Sequence, residues 1–342
     1  HSGKRLSRKC PLLPALSDMR VRNLFGYGDC ILLQNENGYI SLIDGGSDLE
    51  SEFSGDQYRI RAIDFLKSQQ ISHLNAVFIS HIHEDHVCGL EKVLKNVSAD
   101  VIYIPYPLEV FRGVRPLTPQ PDAARSVPLY TEALNAFIRI LHLAEQHGIP
   151  VKTLQAGDTI TLTEQITAQV LAPRKKELEQ YTARLQRIYE ENITEQEATR
   201  LLTELDATSN QTSMLLKITE GSSVLLDAAD SCPNIWSEVP VSALQNVNVL
   251  KLPHHGQRDC INEALMKRMP LEYVITTSAS DRRYNSANAE VYGKLTSWFP
   301  ERPIQFLFTD EREYPPYFSQ PDGFRALTLL MNSNGIQVEF VK

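Results

Sequence analysis

The chain has 342 residues, a length that allows one large sandwich or two domains. Hydrophobic residues make up 42% and charged residues 22%, which excludes a disordered or fibrous protein. The formal net charge of -8 disfavours nonspecific binding of polyanions unless a local basic groove or a metal offsets it. The 5 cysteines are widely spaced and form no CxxC pair, which predicts free thiols and a cytoplasmic protein. Apolar runs fall far short of the roughly 20 residues that span a bilayer, so we expect no membrane segment.

The order of the predicted elements indicates an α/β protein, because short apolar strands alternate with amphipathic helices. The first two strands are separated by Asn37-Gly38, a dipeptide typical of a tight β-hairpin. In chain order we predict strands at 30–34 and 39–43, a helix at 60–68, a strand at 74–79, a helix at 90–94, a strand at 101–104, an irregular proline-rich loop at 105–128, a helix at 130–146, strands at 151–154, 159–171, 214–218, 223–226, 247–252 and 304–308, and a hairpin at 326–340.

Three imidazoles and two carboxylates follow directly after the strand predicted at 74–79. His81 and His83 point the same way on an extended backbone, because successive side chains of a strand alternate. Asp85 and His86 come after the bend and can face a second position nearby. Imidazole and carboxylate ligands together suit zinc, manganese or iron. The segment therefore predicts a metal site at the end of a buried strand.

The segment His81-Ile82-His83-Glu84-Asp85-His86 matches the HxHxDH signature, and the chain resembles the metallo-β-lactamase superfamily. Two later motifs support this resemblance. The run 223–230 is similar to the strand that carries the superfamily's bridging carboxylate, which places Asp230 in that role. The run 252–256, Leu-Pro-His-His-Gly, resembles the motif of the last ligand.

Within the superfamily the chain most resembles the soluble hydrolase domain of the bacterial DNA-uptake protein ComEC and its free-standing relatives. The motifs that carry this closer resemblance are Gly-Tyr-Gly-Asp-Cys-Ile-Leu-Leu at 26–33, His-Gly-Ile-Pro at 147–150, Ala-Gly-Asp at 156–158 and Asn-Gln-Thr-Ser at 210–213. The resemblance covers roughly residues 20 to 300.

The resemblance implies an α/β fold, an αβ/βα four-layer sandwich in which residues 1–342 form a single domain. It also implies two divalent metal ions, with zinc or manganese favoured. The implied ligands are His81, His83, Asp85, His86, Asp230 and His255. Between the paired histidines, the register of related enzymes favours His255 as the ligand, and His254 is the alternative ligand or a proton shuttle.

Other residues are predicted to lie around the ligands. Asp44, in a motif that resembles the superfamily's early strand-Asp-Gly, is expected to orient a ligating histidine. The chain lacks the third histidine of a full first site, and Asn210, Ser213 or water can fill that corner. Three cations near motif ends, Lys251, Arg258 and Arg283, are predicted to contact phosphate.

The resemblance implies hydrolysis of phosphodiesters, as a phosphodiesterase or nuclease acting on DNA or nucleotides. The nucleophile would be a metal-bound hydroxide oriented by Asp85. One alternative is hydrolysis of a small ester, lactone or lactam, because a fold alone does not determine the substrate. Another alternative is a partner-binding module with weak or no catalysis.

Residues 174–205 form two charged helical segments, with a turn and N-cap predicted at 192–194. They predict a helical hairpin inserted into the strand-rich half, near the mouth of the metal site. Its apolar residues share one face: Leu178, Tyr181, Leu185, Ile188 and Tyr189. This face either packs on the second helix, through Leu201, Leu202 and Leu205, or serves as a lid or docks a protein partner.

Overall fold

The computed structural model describes residues 19–24, 28–55, 57–118, 126–278, 285–310, 313–319, 323–332 and 335–342. Two large β-sheets pack face to face around a shared core, and helices cover the outer faces. This is the predicted αβ/βα sandwich, so the fold class is confirmed. None of the described helices is both long and apolar enough to cross a membrane.

The first sheet has eight described strands in the order β17-β16-β1-β2-β3-β5-β7-β8. Their bounds are β1 (Met19–Leu24), β2 (Ile31–Asn35), β3 (Ile40–Ile43), β5 (Ala76–Phe78), β7 (Ile102–Ile104), β8 (Val151–Thr153), β16 (Ala326–Asn332) and β17 (Gly335–Val341). Strands β3, β5, β7 and β8 run parallel, whereas the other neighbours pair antiparallel. Strands from both ends of the chain therefore share one sheet.

The second sheet has seven described strands in the order β15-β14-β13-β12-β11-β10-β9. Their bounds are β9 (Thr159–Thr161), β10 (Ile166–Ala172), β11 (Leu215–Glu220), β12 (Ser223–Asp227), β13 (Val249–Lys251), β14 (Tyr273–Thr276) and β15 (Gln305–Phe308). Here β12 to β15 run parallel. A small parallel pair, β4 (His73–Leu74) and β6 (Ser98–Ala99), lies apart.

The helices are α1 (Glu50–Phe53), α2 (Ala62–Ser68), α3 (Glu84–Leu94), α4 (Ser126–His147), α5 (Lys175–Ile188), α6 (Glu195–Ser209), α7 (Pro233–Trp236), α8 (Val241–Leu244), α9 (Glu263–Met266) and α10 (Ala289–Trp298). Strand β2 shows how the layers form. Ile31 and Leu33 join the core between the sheets, whereas Leu32 joins the core beneath the helices. Both faces of this strand are buried because neighbouring side chains point to opposite sides.

The structure changes several predicted boundaries. The stretch predicted as one strand at 74–79 contributes to β4 and β5, which belong to different sheets. The stretch at 159–171 is a hairpin of β9 and β10. The loop predicted at 105–128 contains a 3-10 turn at Leu108–Phe111. Helix α3 begins at Glu84, six residues before the predicted start, so the last part of the HxHxDH segment is helical.

The inserted hairpin exists, as α5 and α6, and Thr194 is its N-cap as predicted. Leu178, Tyr181, Leu185 and Ile188 are buried and join the core beneath the helices, together with the leucines of α6. The apolar face is therefore packed and cannot serve as a docking surface. A protein partner at the 174–205 hairpin stays a prediction.

Helix α3 lies close to the loop that follows β3, and we predict that Gly89→Ala destabilises the protein. A Cβ at Gly89 would lie 2.0 Å from the Gly45 carbonyl oxygen, so the loop and helix must separate. We expect a loss of about 2 kcal/mol in the free energy of unfolding, as overpacking typically costs. The matched control is Gly293→Ala in α10, where the nearest atom is the Tyr317 hydroxyl at 3.5 Å. Urea denaturation should show Gly293→Ala neutral or up to about 1 kcal/mol more stable; equal losses in both variants would contradict the prediction.

Candidate metal centre

The polar residues of the site stand at the carboxyl ends of parallel strands from both sheets. Asp44 follows β3, the HxHxDH segment follows β5, Asp230 lies three residues after β12, and the paired histidines follow β13. Parallel neighbours end at the same edge of a sheet, and open α/β sheets place their sites at that edge. The four turns after β3, β5, β12 and β13, which are distant in sequence, therefore meet at one site.

The structure brings the six predicted ligands together in two groups that share Asp230. One group is His81, His83 and Asp230, and the other is Asp85, His86, Asp230 and His255. Within each group the candidate ligand atoms lie within 4.8 Å of one another. His86 Nε2 is 3.3 Å from Asp230 Oδ1, and His255 Nε2 is 3.0 Å from Asp85 Oδ2.

Each of the four histidines directs one nitrogen to a partner behind it, and these partners assign the tautomers. His86 Nδ1 donates to Asp44 at 2.8 Å, and His255 Nδ1 donates to the Thr277 carbonyl at 2.8 Å. The Ser80 hydroxyl donates its one proton to Asp44, so it accepts from His81 Nδ1 at 3.0 Å. His83 Nε2 donates to the Asp206 carbonyl at 3.2 Å. In the neutral form of each ring, the opposite nitrogen carries the lone pair that a metal ion would bind.

The donor atoms that remain fit a cation. His81 Nε2 and His83 Nδ1 face each other at 3.1 Å, and two lone pairs at this distance repel unless a proton or a metal lies between them. His86 Nε2 and Asp230 Oδ1 are buried and face each other at 3.3 Å without a well-aligned hydrogen bond. Buried polar atoms of this kind are costly unless something satisfies them. The cluster therefore fits a divalent metal site.

In the metal-free state, charge pairing inside the cluster holds protons on two histidines. Burial lowers the pKa of His255, but Asp230 and Asp85 outweigh it and raise that pKa to about 10. Asp230 and Asp85 likewise raise the pKa of His86 well above its usual range. Burial and the two neighbouring imidazoles lower the pKa of His81. Metal binding must therefore displace protons from His86 and His255, so metal affinity falls at low pH.

His254 lies at the edge of the cluster, whereas His255 lies inside it. His254 Nε2 is 4.0 Å from Asp230 Oδ2 and receives hydrogen bonds from the side-chain amides of Gln257 at 3.0 Å and Asn210 at 3.2 Å. Burial lowers the pKa of His254, so its ring is neutral. Asn210 thus contacts the proposed proton shuttle rather than a ligand. Ser213 is buried, and its hydroxyl makes no hydrogen bond within the described residues.

The predicted phosphate-binding role of Lys251 is wrong, because its side chain is fully buried. Its ammonium donates to Asp29 and to the Ala229 carbonyl, so it compensates buried carboxylates and cannot reach a substrate. Arg258 is exposed and pairs with Glu290 at 2.8 Å. Arg283 lies outside the described residues, so its role stays a prediction.

A cleft of about 350 Å³ opens onto the centre, and its wall is acidic. The carboxylates that line it are Glu52, Glu84, Asp85, Asp206 and Asp230, beside His83 and His254. Burial raises the pKa of Glu84 to about 7, and Asp85 adds to that rise. The Ser47 hydroxyl donates to Glu84 at 2.7 Å, so this carboxyl turns away from the ligands. No lysine or arginine of the described chain lines this cleft.

Sequence reasoning missed three residues that support the ligands. Asp29 accepts from Thr277 and from Lys251, and it lies 3.6 Å from His255 Nδ1. Its only signal was its place in the 26–33 motif. Thr277 acts through its main chain, and Asp206 belongs to the inserted hairpin. Neither has a sequence pattern that marks it.

Comparison with known proteins supports the class of protein that the site indicates. Residues 24–162 match the model described as Metallo-beta-lactamase superfamily. The match covers less than half of the chain, and together with the donor clusters it supports the metallo-β-lactamase fold and a metal-dependent hydrolase as the class of protein. No curated protein matches the chain. The closer resemblance to the ComEC hydrolase domain stays a prediction.

Solved structures with a similar arrangement are distant. A proposed metal-dependent hydrolase from Parabacteroides distasonis is 12% identical, with a TM-score of 0.43 over 85% of this chain and 93% of its own. A diphosphatase from the PhnP family is 11% identical, with a TM-score of 0.41 over 84% and 94%. The Rm3 metallo-beta-lactamase is 12% identical, with a TM-score of 0.36 over 80% and 81%. Similarity at this level carries no argument about substrate.

Proposed function

We propose that this protein is a metal-dependent hydrolase whose preferred substrate is a small phosphodiester such as a cyclic nucleotide or a dinucleotide. The observation that carries the proposal is the pair of donor groups joined at Asp230. Such an arrangement suits two divalent ions, for which zinc and manganese are our candidates. When bound, a metal pair polarises water and stabilises in-line displacement at phosphorus.

The protein's own residues have separable parts in this proposal. Asp85 and Asp230 hold the charge of the centre and orient the reacting groups at the base of the cleft. His254 exchanges the proton when the amides of Gln257 and Asn210 release its Nε2, because its neutral ring borders the cleft. The amides of Asn210 and Gln257 fix the tautomer of this ring by donating to Nε2. Proton transfer by a positioned histidine typically contributes about 10²-fold or more to the rate.

The acidic wall supports a second candidate, hydrolysis of a neutral ester, lactone or lactam. No lysine or arginine among the described lining residues is placed to bind the phosphates that flank a scissile bond, and a neutral substrate needs no such contact. For the same reason we expect little activity on long DNA, where many phosphates would approach this wall. The size and charge of the cleft thus favour small substrates under both candidates.

We predict that a substrate panel separates these candidates. Metal-loaded protein should hydrolyse bis-p-nitrophenyl phosphate with a higher kcat/KM than p-nitrophenyl acetate or a chromogenic lactam, and should leave plasmid DNA intact. A chelator should abolish turnover, and added zinc or manganese should restore it. Asp85→Asn, purified identically, controls for contaminating enzymes and should be inactive.

The other outcomes each favour a different function. Faster turnover of the acetate or the lactam would replace the phosphodiester proposal with the second candidate. Efficient nicking of the plasmid would show that the acidic wall does not exclude DNA. Metal binding without turnover of any substrate would favour a partner-binding module.

A further inference from the structure

The end of helix α6 packs against the segment that presents the first two proposed ligands. The Ser209 hydroxyl donates to the Ile82 carbonyl at 2.8 Å, and the Ile82 amide donates to the Tyr106 hydroxyl at 3.2 Å. Ile82 lies between His81 and His83. The main-chain carbonyl and amide of Ile82 are therefore both fixed by side-chain hydroxyls, from Ser209 and Tyr106. The positions of the two flanking histidine rings depend on these contacts.

One turn before Ser209, the same helix contacts His83 itself. His83 Nε2 lies 3.2 Å from the Asp206 carbonyl oxygen and 3.4 Å from its carboxylate Oδ1. His83 Nδ1 points the other way, to His81 Nε2 at 3.1 Å. A carboxylate behind a ligating histidine fixes its tautomer and makes it a better donor.

Helix α6 is held in place by the core rather than by the site. Three of its leucines are buried in the core beneath the helices: Leu201, Leu202 and Leu205. Its partner helix α5 contributes Tyr181, whose hydroxyl bonds to Tyr130 and whose ring stacks on Tyr106 with centroids 5.4 Å apart. The hairpin therefore presents Asp206 from a fixed position, as a positioning residue requires.

We propose that Asp206 is a positioning residue for the metal centre and that the inserted hairpin serves to hold His83 for the first metal ion, the one that the group of His81, His83 and Asp230 would bind. This inference rests on the proposed metal centre. The sequence suggested a lid or a docking surface for the hairpin. The structure favours a different role, because Asp206 contacts His83 at Nε2, the nitrogen opposite the proposed metal-binding Nδ1. Asp206 also lines the cleft, so the same carboxylate adds negative charge beside the first ion.

The test is titration of the metal-free protein with zinc in competition with a chromogenic chelator. Wild-type protein should bind two equivalents. In Asp206→Ala, the affinity for one equivalent of zinc should fall about tenfold and the affinity for the other should not change. Tenfold is the low end of what such hydrogen-bond partners contribute, and we expect it because the main-chain carbonyl of residue 206 remains. Asp206→Asn keeps an acceptor oxygen and should lose less. Glu204→Ala, on the same helix and paired with Arg184, is the matched control and should bind as wild type does.

The outcomes distinguish this inference from the proposed function. Two unchanged equivalents in Asp206→Ala would overturn the positioning role while leaving the metal centre intact. Equal weakening of both equivalents would also overturn it, because the effect would then be global. Absence of zinc binding in wild-type protein would instead remove the proposed function. Asp206→Asn keeps the test decisive if the alanine variant does not fold.

Discussion

Asp230→Asn is expected to lower kcat/KM by on the order of 10³-fold, the scale of losing one group that stabilises the transition state. Asp230 is the one residue common to both main donor groups, so its loss affects both. The carboxylate is 2% exposed, and burial raises its pKa. His255 and His86 outweigh burial and lower that pKa well below its usual range, so the group is ionised. The asparagine amide has the same size and shape as the carboxylate, but it lacks the negative charge that would serve both metal ions.

The same variant should bind less metal, which separates loss of the centre from loss of a catalytic group. We expect fewer than two equivalents of zinc after dialysis, measured by elemental analysis beside the kinetic assay. Asp259→Asn is the matched control, because Asp259 is exposed and lies close in sequence to the paired histidines. Activity and metal content within twofold of wild type in Asp230→Asn would contradict the bridging role.

The clustering of the donor side chains could be predicted because their positions follow from local sequence. The HxHxDH segment is contiguous and follows a buried strand. The 223–230 motif contains β12 and ends in Asp230 just beyond it, and the 252–256 motif follows β13. The carboxyl ends of parallel strands meet at one edge, so motif order alone places them together. The carboxylate that accepts from His86 was also predictable, since Asp44 follows β3, the parallel neighbour of β5.

The residues that support the donor side chains could not be predicted, because their partners are distant in sequence and meet them only in the folded protein. Lys251 follows the pattern of a strand end beside a ligand motif, which suggested a substrate contact. Its partner Asp29 is 222 residues away in sequence, and no local pattern shows that the side chain points inward. Asp206 was missed for the same reason, since its contact to His83 spans 123 residues. The split of the strand at 74–79 likewise depends on its pairing partners.

Lys251→Met is expected to lower the free energy of unfolding by about 3 to 5 kcal/mol, the cost of removing one partner from a buried charge pair. Lys251 is 0% exposed, and its ammonium donates to Asp29 and to the Ala229 carbonyl. Burial raises the pKa of nearby Asp227 to about 7, and Lys251 opposes that rise. Methionine fills a similar volume, so the loss reports mainly the charge that stays buried on Asp29.

A second substitution shows whether the buried charge is the cause. Adding Asp29→Asn to Lys251→Met removes the uncompensated carboxylate, so the double variant should recover part of the loss. The amide oxygen can still accept from the Thr277 hydroxyl, which donates to Asp29 Oδ1 at 2.5 Å. Lys176→Met, at an exposed position of α5, is the control and should change the free energy of unfolding by less than about 0.5 kcal/mol. The measurement is urea denaturation of metal-free protein with chelator present, so that metal affinity does not enter. A double variant no more stable than Lys251→Met would show that lost packing or hydrogen bonds, rather than the unpaired charge, cause the destabilisation.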